Sequence, residues 1–137
     1  SLARIEANRH GYNEAILLNE EGKVCEGTGE NLFVVRDGVI STPPVADGLL
    51  EGITRDSIMI IADNLDVPVI EESLVRTDLY TADEMFMTGS AAEIVPVRSV
   101  DGRVLGDAGP ITLELQRVYF DVVHGRLPEY EEWLDRV

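Results

Sequence analysis

Lysine is nearly missing from this sequence. Of 137 residues only Lys23 is a lysine, and the basic residues number 11 against 26 acidic ones. The resulting formal net charge of −15 excludes nucleic acid as a partner, because grip on a phosphate backbone draws on clustered Lys and Arg. The excess of acid reads instead as a solvated surface that aids solubility. Cysteine is equally scarce. A lone Cys25 has no partner for an internal disulfide, which fits a reducing compartment and a cytoplasmic location; Cys25 itself is expected as a core thiol. His10 and His124 are far apart and have no ligand spacing to Cys25, so no metal site is expected. Aromatic residues make up 6% of the chain, and Tyr12, Tyr80, Phe86, Phe120 and Trp133 read as packing residues. Apolar runs long enough to span a bilayer are lacking, as is a signal-peptide pattern, so no membrane role is expected. There is no repeat, low-complexity tract or linker, and residues 1–137 are expected to form a single domain.

What is present suffices for a sizeable core: 45% of the residues are hydrophobic and 27% charged. The first ten residues, S-L-A-R-I-E-A-N-R-H, read as a helix already under way, with a weak apolar stripe of Leu2, Ala3, Ile5 and Ala7 ending at Gly11. That helix has no N-cap, and the chain opens on Ser1 rather than Met, so a fragment of a longer protein is expected. Asn13–Asn19 predicts a strand, Glu20 to Lys23 a turn, and Val24 to Glu26 a second strand. Asp37-Gly38 predicts a hairpin between strands at 32–35 and 39–41, and Asp101-Gly102 another turn. Thr54 reads as the N-cap of a helix over 55–65, and Thr77 as the cap of a short helix over 77–82. Strands are expected at 67–70, 84–88 and 94–97. The longest helix is expected over 111–124, between Pro110 and Gly125, with a short terminal helix at 130–134. Helices and strands mix without strict alternation, which predicts a mixed α/β (α+β) domain.

The chemistry concentrates between Glu26 and Arg55. A carboxylate in a strand context holds a protonated ring nitrogen well, because opposite charge favours the charged form. At the other end, Gly52-Ile53-Thr54 feeds a helix start, where free N–H groups and the helix dipole favour a phosphate. A ring nitrogen at one end and a phosphate at the other suggest pyridoxal 5'-phosphate. A second glycine turn, Thr88-Gly89-Ser90-Ala91-Ala92, follows the 84–88 strand and offers further N–H groups and a hydroxyl.

Glu26-x-Thr28-x-x-Asn31-Leu32-Phe33, Ile40-x-Thr42 and Leu50-x-Gly52-Ile53-x-Arg55 resemble the signature of the class IV aminotransferases, the fold-type IV pyridoxal phosphate enzymes. Further stretches, among them N-R-H-G-Y-N-E-A-I-L-L, A-D-E-M-F-M-T-G-S-A-A-E-I-V-P-V-R-S-V-D-G-R and W-L-D-R-V, are most similar to branched-chain amino-acid aminotransferases. The resemblance implies the C-terminal, cofactor-binding domain of the D-amino-acid aminotransferase-like fold. It implies that Glu26 bonds the pyridine nitrogen and Leu50 packs on the ring. Gly52, Ile53, Thr54 and Ser90 would bind the phosphate, and Ser90 and Ala91 the substrate carboxylate. The implied reaction moves an amino group between leucine, isoleucine or valine and 2-oxoglutarate, in a homodimer. Sibling chemistries on the same fold, D-amino-acid transamination or aminodeoxychorismate lysis, remain open, as does a non-catalytic domain that binds a phosphate ligand or a protein.

One departure from the pattern matters. The family's Schiff-base lysine lies upstream of the point corresponding to Ser1, and Lys23 reads as a surface turn residue, so no catalytic residue is expected in this chain. The small N-terminal domain that supplies further phosphate and substrate contacts is likewise absent and is the expected intramolecular partner. For the full-length protein, Glu26→Gln is expected to lower transamination about 10²–10⁴-fold with the fold intact. Steady-state turnover beside a circular-dichroism spectrum checks this, and unchanged turnover in the folded variant refutes the role.

Overall fold

The computed structural model describes residues 2–7, 13–18, 24–25, 31–44, 53–88, 93–106 and 108–125. In chain order the elements are β1 (Leu2–Ala7), β2 (Asn13–Leu18), β3 (Val24–Cys25), β4 (Asn31–Arg36), β5 (Val39–Thr42) and α1 (Ile53–Asn64). They continue with β6 (Val69–Glu71), α2 (Arg76–Tyr80), β7 (Glu84–Thr88), β8 (Ile94–Val100), β9 (Arg103–Val104) and α3 (Pro110–Val123). The strands join one sheet in the order β3-β2-β1-β8-β7-β4-β5-β6, with β9 beside β8. Among the described residues every pairing is antiparallel except β5 with β6, which run parallel. A parallel pair needs a crossover, and α1 supplies it.

Two turns set the register. Arg36 pairs with Val39 and Val100 with Arg103, leaving two-residue loops. Asp37 and Gly38 have φ of 51° and 77°, and Asp101 and Gly102 have 50° and 79°. Positive φ at both central residues gives a turn whose twist matches the flanking strands, which is why Asp-Gly marks it. With register set, alternate side chains sort to opposite faces. Leu32, Val34, Met85 and Met87 join Ala3, Ile5, Ala7, Val97, Val100, Leu74 and Leu79 on one face. On the other face Phe33, Val35, Ile40, Phe86 and Ile94 pack under Ile58, Ile61 and Ala62 of α1 and Leu115, Val118, Tyr119 and Val122 of α3. Phe33 and Phe86 are direct cross-strand partners, and their rings stack at 4.9 Å between centroids.

Helix α3 is fastened to β7 by one carboxylate. Glu84 accepts hydrogen bonds from the amides of Thr112 (2.8 Å) and Ile111 (3.3 Å). These N–H groups lack partners within the helix, and an anion there also suits the dipole. Pro110 occupies the first position, where a missing N–H costs nothing. Gly109 makes the approach possible, since a Cβ there would lie 2.3 Å from the Glu84 side chain.

The sequence expectations need correction at three places. The opening residues are strand β1, not helix. Ala3, Ile5 and Ala7 are buried while Arg4 and Glu6 are exposed, a period of two that the helix-favouring alanines obscured. The argument from an uncapped helix falls with it. Thr54 lies inside α1, which begins at Ile53. Helix α2 is capped at Val75 rather than Thr77, with the Asp78 carboxylate accepting the Val75 amide at 2.8 Å. The hairpins at Asp37 and Asp101, the 84–88 strand and the α3 boundaries stand as expected, and the mixed α/β class is observed. The terminal helix expected at 130–134 lies outside the described residues.

A polar knot closes the turn end of the sheet. Asp101 accepts hydrogen bonds from the Arg4 amide (2.8 Å), Arg76 Nη1 (2.6 Å) and Tyr80 Oη (2.5 Å). Arg103 lies over the Tyr80 ring at 4.2 Å. The Tyr80 hydroxyl first, then the Arg4 amide and the Arg76 charge, hold the Asp101 carboxyl below its ordinary value of 3.8. A lowered folded pKa means that the contribution is complete above the unfolded value and drains as pH falls through the folded one. Asp101→Asn tolerates the left-handed backbone and is expected to lower the thermal midpoint by a few degrees at pH 7. The gap from wild type should close below about pH 4. Melting curves from pH 7 to pH 2 check it; a gap constant across that range refutes the charge contribution.

Candidate functional site

The two ends of the sheet differ in kind. Asn31 at the start of β4 pairs with Thr88 at the end of β7, and Thr88 pairs with Ile94 at the start of β8. Strand β5 is antiparallel to β4 and ends at Thr42 on the same side, where parallel β6 places Glu71 beside it. Segments 45–52 and 89–92 therefore join the described strands and α1 from this sheet end, and segment 26–30 enters it at Asn31 after leaving Cys25, which pairs with Leu17 near the far end. They carry nearly all the residues singled out from the sequence. The two Asp-Gly turns lie at the other end, as does the junction of β2 with β3, where Leu18 pairs with Val24. The six residues of β2 hold its ends about 17 Å apart.

Glu26, Leu50, Gly52, Ser90 and Ala91 lie outside the described residues, as does Lys23. For Ile53 and Thr54 the backbone is described: they open α1, so their amides belong to the first turn, whose N–H groups have no acceptor within the helix. Those amides follow the carboxyl end of β5 in a strand–helix–strand crossover. Open α/β sheets bind ligands outside such strand ends, and helix starts there receive anions.

Three polar side chains that sequence reasoning left without a role converge on this end. Thr42, fully buried, donates its hydroxyl to the Leu32 carbonyl at 2.7 Å and so ties the end of β5 to β4. Thr88 is 1% exposed, and its hydroxyl has no hydrogen-bond partner among the described residues. It precedes Gly89 directly and shares the helix-covered face with Phe86. Arg55, in the first turn of α1, is also 1% exposed. Its Nη2 donates to the Pro43 carbonyl at 3.0 Å and stands 3.6 Å from the Glu71 carboxylate, which is half exposed. Its Nη1 rests 3.9 Å from the Met59 sulfur, and its Nε has no partner among the described residues. A cation in the first turn runs against the helix dipole, and that oddity was the readable signal. The arrangement offers an anion free amides, a buried positive charge and an unused hydroxyl, at one sheet end of a strongly acidic chain.

The chain is similar to known proteins over most of its length. The family model described as amino-transferase class IV matches residues 1–100. Among curated relatives, the chain is 50% identical over 134 residues to the branched-chain-amino-acid aminotransferase of Escherichia coli (strain K12), covering 96% of this chain and 43% of that protein. It is 46% identical over 140 residues to the probable branched-chain-amino-acid aminotransferase of Aquifex aeolicus (strain VF5), covering all of this chain and 45% of that protein. Among solved structures, the branched-chain aminotransferase of Thermoproteus uzoniensis with norvaline superposes with a TM-score of 0.79 at 51% identity, over 86% of this chain and 39% of that one. The T.th. branched-chain amino acid aminotransferase with pyridoxamine 5'-phosphate gives 0.78 at 53%, over 86% and 40%. The chain spans less than half the length of the curated relatives it matches.

If the two glycine turns serve one anion, their hydroxyls act together. In the full-length protein, replacing Thr54 and Ser90 both by Ala is expected to weaken affinity for pyridoxal 5'-phosphate more than either change alone. Each charge-assisted bond contributes roughly 1.5–3 kcal/mol. Spectrophotometric titration of the three variants decides it, and wild-type affinity in the double variant shows that at least one turn points elsewhere.

Proposed function

The chain belongs to the class IV amino-transferase family, and from that premise we propose that it is the C-terminal, cofactor-binding part of a branched-chain amino-acid aminotransferase. The whole enzyme would move the amino group between leucine, isoleucine or valine and 2-oxoglutarate. The observation that carries the reading is that β4 begins and β5 and β7 end at one sheet end, where crossover helix α1 starts with buried Arg55 in its first turn. A homodimer and a cytoplasmic location belong to the same proposal; the single cysteine supports the latter. The sibling chemistries have no observation in their favour, whereas the curated relatives named above are branched-chain aminotransferases.

Pyridoxal 5'-phosphate fits what the described residues offer. A phosphate dianion calls for N–H donors and positive potential, and the first turn of α1 above buried Arg55 has both. When bound, this group supplies an electron sink for breaking the amino-acid Cα–H bond. The chain's own residues divide the remaining work. The Ile53 and Thr54 amides, with the Thr54 and Ser90 hydroxyls, bind the phosphate. Gly52 lets the backbone approach it without a side chain in the way. Glu26 keeps a proton on the ring nitrogen, because its negative charge favours the protonated form. Leu50 covers one face of the ring, as apolar groups line such sites. Ser90 and Ala91 orient the substrate carboxylate, and their small side chains leave room for a branched substrate. An amine to hold the cofactor's aldehyde would not come from these residues; Lys23 immediately precedes Val24, which pairs with Leu18 at the opposite sheet end.

The 137-residue chain on its own is therefore expected to bind pyridoxal 5'-phosphate weakly and to show no leucine–2-oxoglutarate transamination. Joined to the segments that complete its relatives' length, it is expected to turn over. Borohydride reduction and peptide mapping locate any lysine attachment. Stoichiometric labelling of Lys23 together with turnover by the isolated chain refutes the proposal that this is one part of an active site.

A further inference from the structure

Arg55 closes the motif that begins at Leu50, and so far only its charge has been given a part. Its surroundings argue against simple packing. A guanidinium 1% exposed carries a large desolvation cost unless its N–H groups are satisfied and its charge is met. Among the described residues, one N–H group reaches an oxygen within hydrogen-bond distance, the Pro43 carbonyl at 3.0 Å. The nearest carboxylate described, Glu71, is 3.6 Å away and half exposed, so water screens it. Nε is left over. The helix dipole adds to the positive charge at this point instead of offsetting it. An apolar side chain of similar volume would fill the space without that cost.

What Arg55 does uniquely is join three pieces. Pro43 follows the last residue of β5, Arg55 itself lies in the first turn of α1, and Glu71 ends β6. Those are the strand, helix and strand of the crossover. The Ile53 and Thr54 amides precede Arg55 by two residues and one, so the clamp that fixes the guanidinium fixes their direction as well. The guanidinium charge belongs to a residue of the same turn.

We infer that Arg55 is a positioning residue for the phosphate of the cofactor. Its buried guanidinium locks the start of α1 to the end of β5 and sets both the aim of the first-turn amides and the positive potential around them. The inference rests on the cofactor reading proposed above, and the test separates the two. In the full-length protein, affinities for pyridoxal 5'-phosphate and for pyridoxal, which lacks the phosphate, are measured side by side by titration. Wild type should favour the phosphorylated form strongly. Arg55→Met should weaken pyridoxal 5'-phosphate binding about 10- to 100-fold, the range for a lost charge-assisted bond, while pyridoxal binding changes less than about threefold. Arg55→Lys, which keeps the charge but loses the planar fork, should show an intermediate drop in the same ratio and carries the test alone if Arg55→Met does not fold. A general packing role would lower both affinities by one factor and leave the ratio as in wild type; that result in the folded variants overturns the inference. A wild-type protein without any preference for the phosphate overturns the cofactor reading, and this inference with it.

Discussion

The pairing of β4 with β7 is the constraint on which the rest depends. Its register runs from Asn31 opposite Thr88 to Val35 opposite Glu84, and each position has a separate consequence. Phe33 and Phe86 stack across it and seat both covering helices. Leu32, Val34, Met85 and Met87 fill the opposite face. At one end of the ladder Glu84 reaches the α3 amides; at the other, Asn31 and Thr88 mark where the signature segments leave the sheet. Shifting this pairing by one residue would exchange the two faces of β4. It would also bury the wrong side of a strand whose neighbours are already committed.

The parallel β5–α1–β6 unit is the second element of the design, set into an otherwise antiparallel sheet. A hairpin would have returned the chain directly and left no helix start at the strand end. The crossover instead places the first turn of α1 over the carboxyl end of β5, and Arg55 ties the two together through the Pro43 carbonyl. Structure and chemistry meet there: a backbone requirement of parallel pairing creates the set of free amides that an anion needs.

Local backbone chemistry was legible in the sequence. Asp37-Gly38 and Asp101-Gly102 specify their turns through φ alone, and Pro110 with Gly125 brackets α3 through a missing donor and a left-handed terminus. What could not be read was set by partners far along the chain. Nothing in S-L-A-R-I-E-A-N-R-H says that β8, more than ninety residues on, will present Val100 opposite Ile5; without that neighbour the alanines argue for helix. The same holds for the site. Glu26, Thr54 and Ser90 were singled out through a motif, whereas the contacts of Thr42 and Arg55 and the buried Thr88 hydroxyl are visible only when Leu32, Pro43 and the end of β7 stand beside them.

The placement of the Asp-Gly turns gives the site end an unusual freedom. Because each turn pins its hairpin from the far side, the strands act as rulers of fixed length counted toward the site. The β4–β5 and β8–β9 registers do not depend on the segments joined at that end. A change of length there leaves both pairs in register, because their count starts from the opposite end. An insertion at Asp37 or Asp101 has the opposite effect, since it alters the count for a whole strand and turns its buried residues toward water.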